Sequence, residues 1–100
     1  MKVDFNKLDK AFENRVRLQI MSILMVNDTY DFTSLKDLLD VTDGNLASNL
    51  KALEKEEYII IHKSFVGKKP NTNYQASPKG KKAFTDHLNA LEQLINQQKK

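Results

Sequence analysis

Six lysines and no acidic residue lie between Tyr58 and Thr85, which makes this stretch a candidate for binding a polyanion. Ammonium groups without a neighbouring carboxylate are suited to contact phosphate oxygens. In its middle, the turn sequence Gly67-Lys68-Lys69-Pro70-Asn71 separates two segments rich in β-prone residues, which predicts a basic hairpin. The lysines are Lys63, Lys68, Lys69, Lys79, Lys81 and Lys82.

A short amphipathic helix is predicted directly before the hairpin, from Gly44 to about Glu56, with Thr42 or Asp43 as its N-cap. Its buried stripe is formed by Leu46, Leu50 and Leu53. Asparagine pairs with adenine through two hydrogen bonds, serine bonds to several base edges, and lysine contacts phosphates. We therefore expect a nucleic-acid partner, and the candidate contacts on this helix are Thr42, Asn45, Ser48, Asn49, Lys51 and Lys55.

The composition is that of one globular domain, with 40% hydrophobic and 29% charged residues in a chain of 100. Residues 1–57 carry 8 basic and 11 acidic groups, so the charge of the basic stretch is directional. The absence of cysteine excludes disulfides and thiolate metal sites. A polar N-terminus and the lack of any run of about 18 apolar residues predict a cytoplasmic protein without a membrane span.

Apolar spacing and capping residues predict the elements along the whole chain. Asn14 and Thr33 are the expected N-caps of the second and third helices, and Ser77-Pro78 is the expected start of the last helix. The hairpin connection is predicted to be long and its tip mobile. The predicted units of this single domain (1–100) are N-terminal helices over 4–26, a helix-turn-helix over 33–56, a hairpin over 58–77 and a helix over 78–98.

The last helix carries an apolar stripe and would not be stable alone in water, so it must pack on something. We expect a second copy of the chain, with packing inside one copy as the alternative. The predicted interface residues, three of them from the N-terminal helix over residues 4–12, are Phe5, Leu8, Phe12, Phe84, Leu88, Leu91, Leu94 and Ile95.

The element order predicts a winged helix, a mainly α fold with a small β-hairpin (α+β). The chain resembles short, single-domain winged-helix transcriptional regulators related to the MarR and ArsR families. This resemblance implies a homodimer that binds double-stranded DNA at a pseudo-palindromic operator, with the recognition helix in the major groove and the basic wing on the backbone and minor groove. The matching stretches are Arg17-Leu18-Gln19-Ile20, Thr42-Asp43-Gly44-Asn45-Leu46, Leu50-Lys51-Ala52-Leu53-Glu54, residues 65–74 and Ser77-Pro78-Lys79-Gly80.

This sequence departs from the family pattern at two positions. Glu57 stands where the family usually has a glycine that ends the recognition helix in a left-handed conformation. Glutamate in that conformation costs about 1 kcal/mol, which predicts a different helix end. Asn49 occupies a position often taken by histidine in relatives, so the base preference of relatives does not transfer.

The wing is expected to contact DNA through Lys63, Lys68, Lys69, Asn71, Thr72 and Asn73. A solvated charge run is the alternative, and the matching alternative function is a winged-helix module that binds an acidic protein. An enzyme is not expected, because no nucleophile has a recognisable base and no glycine-rich phosphate loop is present. No cofactor or metal is expected either, since His87 and Glu92 lie on different sides of the last helix and His62 lies on a strand.

Overall fold

The structure, a computed structural model, describes residues 7–98, and these form a winged helix. The three strands make one antiparallel sheet in the order β1-β3-β2. The predicted mainly α fold with a small hairpin is confirmed. In chain order the elements are a 3₁₀ turn (Lys10–Phe12), α1 (Arg15–Val26), β1 (Tyr30–Asp31), α2 (Phe32–Leu39), α3 (Asp43–Lys55), β2 (Ile59–Val66), β3 (Lys69–Ala76) and α4 (Pro78–Gln98).

Helix α1 is the central helix, as its largely apolar circumference predicts. Its first free amides are satisfied by Asn14, whose Oδ1 accepts hydrogen bonds from the backbone N–H groups of Val16 and Arg17. The core forms around this helix and includes Ile20, Met21, Leu24, Leu35, Leu46, Leu50, Leu53, Tyr58, Ile59, Tyr74 and Phe84.

The N-terminal segment differs from the predicted helix over residues 4–12, of which residues 4–6 lie outside the described part of the chain. Its described part includes a 3₁₀ turn over Lys10–Phe12, which Asp9 caps by accepting a hydrogen bond from the Ala11 N–H (2.9 Å), and the chain then turns into α1. Phe12 at its end is buried in the core.

Helix α2 begins earlier than predicted, because its N-cap is Asp31 and not Thr33. The Asp31 carboxylate accepts hydrogen bonds from the hydroxyl (2.6 Å) and the backbone N–H (3.1 Å) of Ser34. These two bonds lower the pKa of Asp31 below its ordinary value, and the bond from the Ser34 hydroxyl has the larger effect. Asp31 also ends the short strand β1, where Tyr30 pairs with Tyr74.

Helix α3 begins at its predicted cap, since Thr42 Oγ1 accepts a hydrogen bond from the Asn45 N–H (3.1 Å). At its other end the Tyr58 N–H donates to Leu53 O (3.0 Å) and the Glu57 N–H donates to Glu54 O (2.8 Å). This is the Schellman pattern, and it requires a left-handed residue after the helix. Glu57 takes that conformation with φ 63°, so the expected different helix end is wrong.

The wing hairpin is tighter than predicted. Val66 pairs with Lys69, so the turn contains only Gly67 and Lys68, and Gly67 has the positive φ (66°) that a type II′ turn requires. Pairs alternate between hydrogen-bonded and non-hydrogen-bonded types along an antiparallel ladder. Pro70 therefore occupies a non-hydrogen-bonded position opposite Phe65, where its missing N–H costs nothing. The predicted long, mobile tip is wrong.

The backbone of Tyr58 is where α3, the wing and α4 meet, and we call this contact the Tyr58 junction. The Ser77 N–H donates to Tyr58 O (3.0 Å), and the Ser77 hydroxyl donates to Glu57 O (2.6 Å) while accepting from the Gly80 N–H (2.9 Å). A Cβ at Gly80 would lie 2.0 Å from Tyr58 O, so only glycine lets the first turn of α4 approach so closely.

The side chain of Tyr58 ties the N-terminal segment to the same place. Its ring stacks on Phe12 at 5.4 Å, and its hydroxyl donates to Asp9 Oδ2 (2.5 Å). Burial, followed by this hydrogen bond to a carboxylate, raises the pKa of Tyr58 well above its ordinary value. The Asp9 N–H donates to Nδ1 of His87 (3.0 Å) on α4, and Phe84 meets Phe12 edge-on at 5.2 Å.

The substitution Glu57→Gly should raise the free energy of unfolding by about 1 kcal/mol, because glycine adopts φ 63° without the steric cost that glutamate has. The exposed contact of Glu57 with Lys79 at 4.0 Å contributes little to set against this gain. Urea denaturation followed by circular dichroism measures the change.

The neighbouring substitution Glu56→Gly is the matched control. Glu56 has the ordinary helical φ of −77°, so glycine there should lower the stability. If both variants lost stability equally, the left-handed helix end would be contradicted.

Candidate nucleic-acid interface

The exposed face of α3 presents small and polar side chains. Residues Gly44, Ala47, Ser48 and Lys51 follow the helical spacing i, i+3, i+4, i+7 and are all exposed. Thr42, Asn45 and Lys55, also predicted as contacts, are exposed as well. Ala47 was missed by the sequence reasoning, although its spacing from Gly44 and Lys51 was a usable signal. A methyl group on this face is suited to contact the methyl group of thymine.

Asn49 does not lie on the exposed face, since only 8% of its surface is accessible. Its Nδ2 donates to the backbone O (2.9 Å) and to Oδ1 (3.0 Å) of Asn45, and its Oδ1 accepts a hydrogen bond from Arg17 Nη1 (3.2 Å). This contradicts the predicted direct contact of Asn49 with DNA, because its amide is already engaged inside the protein. Asn49 instead positions Asn45.

Arg17 connects α3 to the N-terminal segment. Its Nε donates to the backbone O of Ala11 (2.7 Å), while its Nη1 holds Asn49. The Asn45 amide keeps free hydrogen-bonding groups for a base edge. These are the two hydrogens of Nδ2 and one lone pair of Oδ1. The sequence signal for this network was an arginine, Arg17, between the apolar residues Val16 and Leu18 of a largely apolar helix, since planar guanidinium groups are favoured at partly buried sites.

An ion pair neutralises the acid in the first turn of α3. Lys36 Nζ lies 2.8 Å from Asp43 Oδ1, and this hydrogen bond and the carboxylate charge raise the pKa of Lys36. The pair offsets the repulsion that Asp43 would exert on a phosphate near the helix N-terminus. Lys36 was not among the predicted site residues, because its partner lies in a different helix.

The wing tip carries three lysines that form no ion pair with the described residues. Lys63, Lys68 and Lys69 are exposed, and within residues 7–98 no carboxylate lies within 4.0 Å of any of them. The predicted wing contacts Asn71, Thr72 and Asn73 are half-buried on β3, with Asn73 paired to both Asp31 and His62. The positive charge of the wing is therefore concentrated at its tip.

Two lysines at the start of α4 are engaged locally. Lys79 lies 4.0 Å from Glu57 and 5.9 Å above the Tyr58 ring, and Lys82 pairs with Asp86 at 2.8 Å. The acid-free stretch of sequence thus separates into a wing tip whose lysines form no ion pairs within residues 7–98 and a helix start where Lys79 and Lys82 have acidic partners while Lys81 is exposed.

The predicted dimer-interface residues include both covered and exposed side chains. Phe12 and Phe84 contact each other in the core, Leu94 is buried and Leu8 is half-buried, so these side chains are already covered within one copy of the chain. The burial of Phe12 and Phe84 contradicts their predicted place in a dimer interface. Phe5 lies outside the described residues. The exposed apolar stripe consists of Leu88, Leu91 and Ile95.

The two histidines have structural partners. His87 is 4% exposed and accepts the Asp9 N–H, while Nε2 of His62 lies 3.0 Å from Oε1 of Gln75. Among residues 7–98 no group of three or more histidine, aspartate or glutamate side chains is arranged to hold a metal ion. No helix in this range is long and apolar enough to span a membrane.

Comparison with known proteins identifies the same kind of domain. The winged helix DNA-binding domain family matches residues 16–95. An uncharacterized protein of Methanocaldococcus jannaschii is 33% identical over 85 residues, which cover 85% of this chain and 92% of that protein. A transcriptional regulator homologue from Pyrococcus horikoshii has the same fold, with a TM-score of 0.79, 28% identity, and coverage of 86% of this chain and 85% of that one.

A protein of Enterococcus faecalis assigned to the MarR family of transcriptional regulators has a TM-score of 0.70 at 24% identity, with 87% of this chain and 77% of that chain covered, and supports the fold. The matched family is a family of DNA-binding domains, and the structure from P. horikoshii is that of a transcriptional regulator homologue, which agrees with the expectation that this chain is not an enzyme. The polar face of α3 lies beside a basic wing, and the family match extends over most of the chain. The chain therefore belongs to the winged helix DNA-binding domain family.

Proposed function

We propose that this protein is a homodimeric transcriptional regulator that binds double-stranded DNA in a sequence-specific way. The observation that carries the proposal is the exposed polar face of α3, held by the Tyr58 junction next to a wing tip with three unpaired lysines. Such a regulator acts in the compartment that contains the DNA, and we expect this protein in the cytoplasm.

In this proposal α3 enters the major groove, which is wide enough for a helix. Asn45 and Ser48 read base edges, and Ala47 faces a thymine methyl group. Lys51 and Lys55 contact phosphates and fix the register without reading sequence. The division follows from reach and chemistry, because the short side chains need close approach to the bases while lysine reaches outward to the backbone.

The wing adds affinity that does not depend on sequence. Lys68 and Lys69 stand at a two-residue turn, so their ammonium groups approach the backbone from a short, well-defined loop. If a dimer neutralises about six phosphates, its affinity falls on the order of 10³-fold between about 50 and 200 mM salt.

The stripe of Leu88, Leu91 and Ile95 supports the homodimer. Three large apolar side chains on one helix face lose their contact with water when the same face of a second copy packs on them. A two-fold pair of wings and recognition helices then reads a pseudo-palindrome whose half-sites lie about 34 Å apart on one face of the duplex.

The double variant Lys68→Glu/Lys69→Glu should bind every duplex more weakly and with a salt dependence shallower by about four in log–log slope, two lysines being lost from each copy of the dimer. Fluorescence anisotropy of a random-sequence duplex over a salt series measures both quantities. If the wild type did not bind this duplex at micromolar protein and low salt, the proposal would be contradicted and the alternative, an acidic protein partner, would be favoured.

The matched control is Lys79→Glu/Lys82→Glu, which changes the net charge equally but alters lysines engaged by Glu57 and Asp86. It should bind much more tightly than the wing variant. Equal weakening of both variants would show that net charge, and not the wing, determines the affinity.

The variants Asn45→Ala and Ser48→Ala should keep the affinity for random-sequence duplex and lose sequence discrimination, because each removes hydrogen bonds to base edges, a bidentate asparagine–adenine pair being worth about 1–3 kcal/mol of discrimination. Selection of binding sites from a randomised duplex pool measures the discrimination. An unchanged preferred sequence in both variants would contradict the assignment of α3 to base reading.

The double variant Leu88→Glu/Ile95→Glu should sediment as a monomer at tens of micromolar, where the wild type sediments as a dimer, since two charges per copy would have to be buried in the interface. The control Leu38→Glu introduces a charge at a similarly exposed leucine on α2 and should leave the dimer intact. A monomeric wild type would contradict the proposed interface.

A further inference from the structure

The wing tip exposes an aromatic side chain that the phosphate contacts do not use. Phe65 is 74% exposed, and the other described aromatic residues are buried or half-buried. Exposing a phenylalanine ring to water is unfavourable, so a solvent-facing ring at a projecting tip indicates a binding surface more strongly than a scattered exposed aliphatic residue does.

The tip holds this ring in a defined place. Phe65 lies opposite Pro70 in a non-hydrogen-bonded pair, so both side chains stand on the same side of the hairpin. The turn that follows has only two residues, and every residue from 62 to 70 is exposed. The ring and the proline thus form a narrow apolar edge that projects beyond the domain.

The charge around this edge indicates what it meets. Lys63 lies two residues before Phe65 on the same side of β2, and Lys68 and Lys69 follow at the turn. No carboxylate within residues 7–98 is within 4.0 Å of these lysines. An apolar edge surrounded by cations is complementary to a polyanion with an apolar interior, which is the arrangement of phosphates around stacked bases in a duplex.

We propose that Phe65 is an apolar wedge that enters the minor groove and partly unstacks one base step, while Lys68 and Lys69 hold the phosphates on either side. This inference rests on the proposed DNA-binding function and adds a deformation of the DNA to it. Pyrimidine–purine steps unstack most easily, so the wing selects TA or CA/TG steps in the outer part of each half-site. The wing then contributes to specificity without hydrogen bonds to bases.

The test uses the full-length protein and a duplex of about 30 base pairs, three helical turns, that is rich in TA steps and carries 2-aminopurine in place of some adenines. Unstacking of 2-aminopurine increases its fluorescence. Wild type at saturation should raise this fluorescence severalfold. Phe65→Ala should bind about tenfold more weakly and, when saturated, give no rise, whereas Phe65→Leu should keep a wedge and the rise.

Val66→Ala is the matched control, because Val66 is also exposed, at 68%, but lies on the opposite side of the hairpin. It should keep the fluorescence rise. An equal rise with Phe65→Ala, or binding by the wild type without any rise, would overturn the wedge while leaving the proposed DNA binding intact. Anisotropy showing no duplex binding by the wild type would overturn both.

Anionic phosphatidylglycerol vesicles provide the remaining arm of the test. The wild type should not bind them. Vesicle binding that depends on Phe65, together with an absent 2-aminopurine response, would assign the tip to a membrane surface and overturn the proposal.

Discussion

The backbone of Tyr58 is the contact on which the arrangement of the domain depends. Its N–H closes the end of α3, its carbonyl accepts the Ser77 N–H at the start of α4, and the strand that follows it begins the wing. Gly80 packs on the same peptide at a distance that no Cβ would permit. Because these bonds join backbone atoms, the angle between α3, the wing and α4 is fixed by the backbone and not by flexible side chains.

A second set of contacts extends this rigidity to the exposed polar face of α3. Asp9 binds both the Tyr58 hydroxyl and His87, and the segment it anchors offers the Ala11 carbonyl to Arg17. From Arg17 the hydrogen bonds continue through Asn49 to Asn45 on α3, which we propose contacts a base. A side chain held on one edge loses less conformational entropy when it binds, so such support favours specificity.

Local patterns in the sequence were sufficient where neighbouring residues decide the structure. The Asn14 cap, the Thr42 cap and the Ser77-Pro78 start were predicted because each bond spans a few residues. Asn49 was misplaced because its partner Arg17 is 32 residues away. The wing turn was misjudged because Pro70 reads as a strand breaker until pairing puts it at a position that needs no N–H.

We propose that the first turns of α3 and the wing tip contact DNA together. Titration of the ¹⁵N-labelled protein with duplex DNA, followed by amide chemical shifts, tests it residue by residue. We expect shifts in residues 43–51 and 63–71 at the same DNA concentration, with residues around Leu38 on the far side of α2 unchanged. Shifts confined to residues 88–95, or to only one of the two predicted segments, would contradict it.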